Sequence, residues 1–450
     1  LIWLGGNAFD AAVGAAFTSM VAEPALTSAG GGGHFMACPE SGKPVLFDFF
    51  VEMPSGKVKS ALDFFPVDID FGGARQEFQI GKGAAGTPGC IAGLLHVQKS
   101  LGVLTLKDVL APSVRAAREG VCLSKMESRF IGILSPILTH SPDGSAVFAP
   151  DGHSLQEGDR LVMSEFADFL DTLSREGEEF FYQGEVARII AEWAQDGGLL
   201  RWEDLSGYQV LERSPITVDF AQHTVLLNPP PAQSGVLVKT TLSLLGERAS
   251  SGGITLSDLV GALEVGDQAR QDNLFGSTTH VSVLDRSGNA ASVTTTNGEG
   301  CGYFLPNLGF MLNNVLGEDD LNPQGFHRYA AGTRLPSMIA PTVVKKEGKA
   351  VLLTGSGGSK RIRSIVVQLI VNYLCYEMGI EEATAAPRVY LDGDTLHVEP
   401  GVSEEALAAL ESRYRVCRWD EQSVFFGGAH SATPTQGAGD SRRGGCCIVF

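Results

Sequence analysis

The chain has 450 residues and 44% of them are hydrophobic, which is enough apolar material for a substantial core and excludes a disordered chain. Its 52 acidic and 34 basic residues give a net charge of −18, and a surface this acidic repels phosphate backbones and anionic lipids. We therefore expect neither nucleic acid nor a membrane as a partner.

The eight cysteines are scattered along the chain without a CxxC spacing, and Cys446 and Cys447 are adjacent. This pattern favours reduced thiols over a disulfide framework, so we expect a cytoplasmic protein. The chain begins at Leu1 rather than at a methionine, and we therefore expect an upstream segment. A signal peptide in that segment would instead direct the protein to the periplasm or out of the cell.

The first half of the chain alternates helical patterns with loops. Periodic apolar residues predict helices, and a short apolar run predicts a strand. The predicted helices cover 7–20, 104–120, 185–195 and 256–269, and the strand covers 45–51. Asn7 is expected to cap the first helix, and the glycine run 30–33 separates that helix from the strand.

The last third of the chain has a different rhythm. Residues 280–285 and 290–295 alternate in polarity around a turn sequence, which predicts a hairpin. A further strand is predicted over 310–314 and a helix over 362–374. Helices mixed with antiparallel strands, without a regular βαβ rhythm, favour an α+β layered fold.

Motifs for metals and nucleotides are missing from the sequence. The nine histidines form no HExxH or similar pair, and no loop matches a full dinucleotide or phosphate-binding fingerprint. We expect no metal and no organic cofactor. A serine hydrolase acting through Ser356 is disfavoured because the chain has no GxSxG elbow.

The glycine-rich loop 355–359 leads directly into the helix predicted at Lys360. Backbone N–H groups at such a helix start can bind an anion or a transition-state oxyanion. Lys360, Arg361 and Arg363 oppose the helix dipole there, so a compensating negative charge is needed. The alternative is a plain helix start capped by Ser359.

A cluster of hydroxyl residues precedes the hairpin, in the sequence 276–283. Such clusters are usually structural. One chemistry does use them: cleavage of the peptide bond before a threonine leaves a free α-amine beside the threonine hydroxyl, and the amine can serve as the base for that hydroxyl. Thr294, Thr295 and Thr296 on the second hairpin strand can support such a nucleophile.

At these positions the sequence resembles the γ-glutamyltranspeptidase family, and the resemblance extends over nearly the whole chain. The matching pieces occur in the family's order. They cover 5–13, 28–33, 88–89, 92–94, 229–235, 278–285, 288–289, 312–314, 337–338, 354–358 and 437–444.

The resemblance implies an N-terminal-nucleophile hydrolase with a four-layer αββα core. It implies a precursor that cleaves itself between Ser277 and Thr278 into segments 1–277 and 278–450, which stay paired as a heterodimer in one structural unit. Thr278 then becomes the nucleophile, and Thr296 matches the threonine that supports it. Gly357 and Gly358 match the glycines of the oxyanion hole.

The departures from the family concern the substrate. Ser337 matches one of two adjacent serines that hold the substrate α-carboxylate, but Pro336 replaces the other. Phe50 stands where the family has a carboxylate-binding arginine, which removes a bidentate partner. Arg334 is a potential replacement.

Two further positions are out of register with the family. Glu318 or Asp319 is expected to supply the carboxylate that binds the substrate α-amine. Asn297 lies next to the position of a family asparagine, which is Gly298 here.

The sequence therefore predicts a self-processing, γ-glutamyltransferase-like amidohydrolase. It forms an acyl-enzyme from a γ-glutamyl or related small acyl amide, such as glutathione, and passes the acyl group to water or an amine. One alternative is the same chemistry on a non-glutamyl acyl amide, because of Phe50. An alternative of another class is a non-catalytic binding protein.

Overall fold

The computed structural model describes residues 1–58, 61–70, 75–251, 253–267 and 278–450. The helices are α1 Ala8–Ala22, α2 Cys90–Leu101, α3 Leu106–Glu119, α4 Lys125–Ile133, α5 Ser135–Leu138, α6 Pro142–Phe148, α7 Ser164–Glu176, α8 Glu178–Tyr182, α9 Glu185–Trp193, α10 Trp202–Ser206, α11 Gln233–Ser251, α12 Leu256–Asp267, α13 Arg361–Leu374, α14 Ile380–Ala385 and α15 Glu404–Ala408. The strands are β1 Gly32–Cys38, β2 Val45–Phe49, β3 Phe65–Asp70, β4 Arg75–Ile80, β5 Val121–Cys122, β6 Arg160–Leu161, β7 Leu211–Arg213, β8 Ile216–Phe220, β9 His223–Leu227, β10 Thr279–Leu284, β11 Ala290–Thr296, β12 Thr342–Lys346, β13 Lys349–Gly357, β14 Val389–Asp392, β15 Thr395–Val398, β16 Arg415–Arg418, β17 Gly428–Ala432 and β18 Gly437–Ala438.

Two antiparallel sheets face each other in the middle of the molecule. The first has the strand order β10-β11-β1-β2-β7 and the second has the order β18-β17-β13-β12-β9-β8. Apolar side chains from both sheets, including Met36 and Leu353, pack in a shared cluster between them. Helices α1 and α2 pack on the first sheet, and α11 and α13 pack on the second. This is the four-layer αββα arrangement, as the resemblance implied.

Local sequence explains why the main elements form. The Asn7 side chain accepts hydrogen bonds from Phe9 N and Asp10 N, and the Asp10 carboxylate accepts one from the Asn7 backbone N–H, so α1 begins with a complete capping box. The helices predicted over 7–20, 104–120, 185–195 and 362–374 are present as α1, α3, α9 and α13, with ends shifted by at most two residues. The helix predicted over 256–269 is present as α12, and residues 268 and 269 lie outside the described residues. The predicted hairpin is also present, as β10 and β11.

Two expectations differ from the structure. Residues 310–314 do not form a strand: Met311 and Leu312 make only isolated bridges, to Phe304 and Gly30, because this segment crosses the end of the first sheet instead of joining it. Ser359 does not cap α13. Its φ is +50°, and its hydroxyl donates to Asp320 at 2.6 Å.

The segments before and after Thr278 contribute strands to both central sheets. The first sheet combines β1, β2 and β7 with β10 and β11, and the second combines β8 and β9 with β12, β13, β17 and β18. The central layers are therefore built from both segments together. Within the described residues, no helix is both long enough and apolar enough to cross a membrane.

Candidate active site

Thr278 lies immediately before β10, at the edge where the two central sheets meet, and is 5% exposed. A Cβ atom added to Gly357 would lie 2.5 Å from the Thr278 carbonyl oxygen, so the end of β13 runs directly beside the threonine. Any side chain at position 357 would displace Thr278 or its neighbours. Ser277, on the other side of the predicted cleavage site, lies outside the described residues.

Thr296 lies at the end of β11, on the strand paired with β10. Thr279 pairs with Thr295, so the antiparallel register places Thr296 opposite Thr278. The Thr296 hydroxyl accepts a hydrogen bond from Gly298 N at 3.1 Å, which orients it at the strand end. The pair of threonines that the sequence predicted is thus brought together by strand register.

Gly357 is the last residue of β13, and Gly358 is the first residue of the loop that follows it. Gly358 has a φ of +123°, which side-chain-bearing residues rarely adopt, so the loop turns sharply towards α13. The three basic residues at the start of α13 are buried. Burial lowers the pKa of Arg361, and the nearby Asp392 and Asp320 oppose part of that effect. Its guanidinium lies 4.9 Å from the centre of the Phe425 ring. Part of the negative charge that we expected from a bound anion is therefore supplied by the protein.

Two charged residues beside Thr278 were missed by the sequence analysis. Arg443 donates from Nη1 to the Thr278 carbonyl oxygen at 3.4 Å, and Nη1 lies 2.6 Å from a Cβ added to Gly357. Glu23, at the end of α1, accepts a hydrogen bond from the Thr279 hydroxyl at 2.7 Å. Arg443 belongs to the matching piece 437–444, so its place in that piece was an available signal, whereas nothing in the local sequence singles out Glu23.

Phe50 follows β2 and is fully buried, with its backbone beside Gly32 of β1, the residue that pairs with Thr296. Its ring packs in the core of the second half of the molecule and lies 6.0 Å from the His34 ring. The position that resembles the family's carboxylate-binding arginine therefore lies at the same end of the first sheet as Thr278, three strands away, and carries an apolar ring.

Arg334 is not free to bind a substrate carboxylate in place of the missing arginine. Its Nε and Nη2 donate to Glu52, its Nη1 donates to Asp48 at 2.9 Å, and Nη2 also donates to the Gln209 carbonyl oxygen. Burial opposes its charge, but Tyr208, Asp48 and Glu52 raise the pKa of Arg334. The guanidinium is committed to these partners and leaves no nitrogen for a substrate carboxylate.

The acidic segment after Asn314 divides into buried and exposed groups. Glu318 is buried, and its Oε1 lies 2.5 Å from a Cβ added to Gly298. Asp319 is exposed. Burial, together with the nearby Glu299 and Asp320, raises the pKa of Glu318 well above its usual value. Of the two predicted carboxylates, Glu318 is the one that lies against Gly298, in the loop that follows Thr296.

The remaining predicted residues have distinct surroundings. The Ser337 hydroxyl is buried and makes no hydrogen bond to any described residue. The Asn297 side chain points its nitrogen towards the carbonyl oxygens of Met311 and Leu312, both at 3.4 Å, so it supports the loop that crosses the sheet. Among the described residues, no cluster of three or more His, Cys, Asp or Glu side chains is arranged to hold a metal ion.

The two facing sheets and the outer helical layers form the fold of the N-terminal-nucleophile hydrolases. A solved structure with this fold, the cephalosporin acylase from Bacillus halodurans, aligns with a TM-score of 0.84, covering 99% of this chain and 92% of that chain at 20% identity. At that identity the likeness shows the fold alone.

The chain belongs to the γ-glutamyltranspeptidase family, whose model matches residues 2–275 and 263–449. It is 29% identical to the glutathione hydrolase proenzyme of Escherichia coli strain K12, over 91% of this chain and 81% of the relative. It is 30% identical to the acylase ACY 1 proenzyme of Pseudomonas sp. strain V22, over 92% of this chain and 83% of the relative. The protein is therefore an enzyme of the transpeptidase and acylase group, and its relatives include both activities.

Proposed function

We propose that this protein is a self-processing amidohydrolase in which Thr278 is the nucleophile. The observation that carries the proposal is the contact between Thr278 and Gly357, opposite Thr296. After cleavage before Thr278, its hydroxyl oxygen attacks the amide carbonyl carbon while its free α-amine accepts the hydroxyl proton. Gly357 and Gly358 stabilise the oxyanion through their backbone N–H groups.

The second half of the reaction releases the acyl group. The protonated α-amine gives its proton to the leaving amine, and a water molecule or an acceptor amine then attacks the acyl-enzyme ester. In this proposal segments 1–277 and 278–450 stay together as a heterodimer, because both contribute strands to each central sheet. No step needs a metal or an organic cofactor.

γ-Glutamyl amides such as glutathione are the default substrates, in line with the glutathione hydrolase relatives. A specific observation favours a second candidate, which is a non-glutamyl acyl amide. Phe50 offers no charge to an α-carboxylate, and the nearby Arg334 is fully engaged by Asp48 and Glu52. The acylase relatives are consistent with this second candidate.

The first experiment is the intact mass of the purified protein under denaturing conditions. We expect two fragments dividing before Thr278 in the wild type, and one uncleaved chain in Thr278→Ala. Thr278→Ser is the matched control, since it keeps a hydroxyl nucleophile, and it should still cleave. An uncleaved wild-type chain would overturn the proposal and favour a non-catalytic binding protein.

The substrate is tested with three p-nitroanilides on the cleaved enzyme. γ-Glutamyl-p-nitroanilide carries both the α-amine and the α-carboxylate, 4-aminobutyryl-p-nitroanilide lacks the carboxylate, and glutaryl-p-nitroanilide lacks the amine. A marked preference for the γ-glutamyl compound would rule out the second candidate. Equal or faster turnover of the 4-aminobutyryl or glutaryl compound would establish it.

A further inference from the structure

Arg443 is the charged group in direct contact with Thr278 for which neither the sequence prediction nor the proposed reaction has a use. Its Nη1 donates to the Thr278 carbonyl oxygen, and its Nη2 lies 3.8 Å from a Cβ added to Gly358. The Nε atom is buried and makes no hydrogen bond to any described residue. The guanidinium therefore occupies the space between the nucleophile and the glycine loop.

The distance from Arg443 to the Thr278 α-nitrogen follows from the carbonyl contact. The nitrogen and carbonyl oxygen of one residue are at most about 3.6 Å apart, so the α-amine lies within about 7 Å of Nη1. A positive charge this close disfavours the ammonium form of an amine and favours the neutral form. Neutral amine is the form that can accept the hydroxyl proton.

We propose that Arg443 is a positioning residue that fixes Thr278 against Gly357 and keeps the new Thr278 α-amine neutral near neutral pH. The inference rests on the proposed function, since it requires Thr278 to acquire a free amine. It adds a residue that sets the working pH range of the nucleophile. The contact with the carbonyl oxygen explains how a side chain distant in sequence holds Thr278, the residue before β10, in place.

The charges around Arg443 are consistent with this role. Burial lowers the pKa of Arg443 to about 10, and the guanidinium therefore remains charged at neutral pH. Glu23 faces it from the end of α1, and burial raises the pKa of Glu23. The other charged or titratable groups facing Arg443, Glu23 or the first residues of β10 are Glu127, His280, Arg361, Arg388, His430 and Asp440.

The test measures the α-amine itself and needs no substrate. Cleaved protein is treated with cyanate, which carbamylates neutral amines, and the rate at Thr278 is followed by peptide mass from pH 5 to 10. In Arg443→Gln we expect the apparent pKa of the Thr278 amine to rise by about one unit, because a nearby positive charge is lost. Arg443→Lys keeps the charge and should keep the wild-type value.

Two controls separate this effect from general changes. Arg118→Gln removes an exposed arginine that pairs with Asp168, and it should leave the Thr278 profile unchanged. The ε-amine of the exposed Lys349 provides an internal reference in each sample. An unchanged Thr278 profile in Arg443→Gln, with a cleaved wild type, would overturn this inference and leave the proposed function standing.

A wild type that stays uncleaved would instead overturn the proposed function. If Arg443→Gln stays uncleaved, Arg443→Lys decides the question. Cleavage of the lysine variant with a wild-type amine profile would support a role for the charge in processing as well. Failure of both variants to cleave would overturn the inference, since the shape of the guanidinium and not its charge would then be what matters.

Discussion

The corner formed by Thr278, Thr296 and Gly357 contrasts with the buried region around Phe50, which includes Arg334 and Asp48. Thr278 and Phe50 lie at the same end of the first central sheet, but the two regions are built from different kinds of residue. The corner depends on backbone and short side chains: strand register sets Thr296 opposite Thr278, and Gly357 leaves space for both. The region around Phe50 depends on long side chains that already bind one another, since Arg334 donates a hydrogen bond to Asp48.

This difference separates the residues that we propose for the chemistry from those expected to contact the substrate. A side chain at Gly357 would collide with Thr278, so the corner tolerates little variation. Phe50 packs its ring in an apolar core, so an arginine can be lost there without disturbing the fold. Variants that disturb one region should therefore leave the properties of the other largely unchanged.

The largest expected effect comes from Gly357→Ala. Its Cβ atom would lie 2.5 Å from the Thr278 carbonyl oxygen and push the nucleophile away from the oxyanion donors. We expect either no self-cleavage or a fall in kcat of about 100-fold or more, measured by intact mass and steady-state kinetics. Gly379→Ala is the matched control, because no atom lies within 4 Å of its added Cβ. Normal turnover in Gly357→Ala would contradict the placement of the corner.

The next largest effect is expected at Phe50 and concerns substrate preference. Phe50→Arg places a guanidinium where an α-carboxylate is expected, and a charge-assisted pair there should raise kcat/KM for γ-glutamyl-p-nitroanilide over 4-aminobutyryl-p-nitroanilide by about tenfold. Phe50→Leu keeps the site apolar and should leave the ratio unchanged. Self-cleavage should survive in both variants. An unchanged ratio in the folded, cleaved arginine variant would place the carboxylate elsewhere.

A smaller effect concerns stability against pH. Burial, with Glu299 and Asp320, raises the pKa of Glu318 above its usual 4.5, so the folded protein holds a proton there that the unfolded chain releases. Wild-type stability from this group therefore falls as pH rises above 4.5. Glu318→Gln cannot ionise, and its Tm advantage should grow by a few degrees from pH 5 to pH 8.

The smallest effect is expected for Ser337→Ala. Its buried hydroxyl has no partner among the described residues, so removing it should cost no stability. If the hydroxyl binds substrate, KM rises about threefold while kcat stays unchanged. Ser234→Ala is the contrasting control, since the Ser234 hydroxyl donates to the Met338 carbonyl oxygen and its loss should lower stability by about 1 kcal/mol. A destabilised Ser337→Ala would indicate a structural role instead.

The sequence predicted the parts of the site that depend on local pattern. Alternating residues and a turn identified the hairpin of β10 and β11, and the glycine loop before α13 was visible without any comparison. It did not predict contacts between distant charged residues, because no local signal pairs Arg334 with Asp48, which lie 286 positions apart. Arg443 lies in the matching piece 437–444, but the sequence did not show that its side chain contacts Thr278, 165 positions away.

The sharing of both central sheets by the two segments has a consequence for the mature enzyme. A cut before Thr278 would leave two chains, each of which contributes one block of neighbouring strands to each central sheet. Their reassembly after unfolding becomes a bimolecular encounter, so mass action makes the apparent melting temperature depend on protein concentration. The precursor refolds as one chain and carries no such dependence. Maturation would therefore convert a folding equilibrium into an association equilibrium.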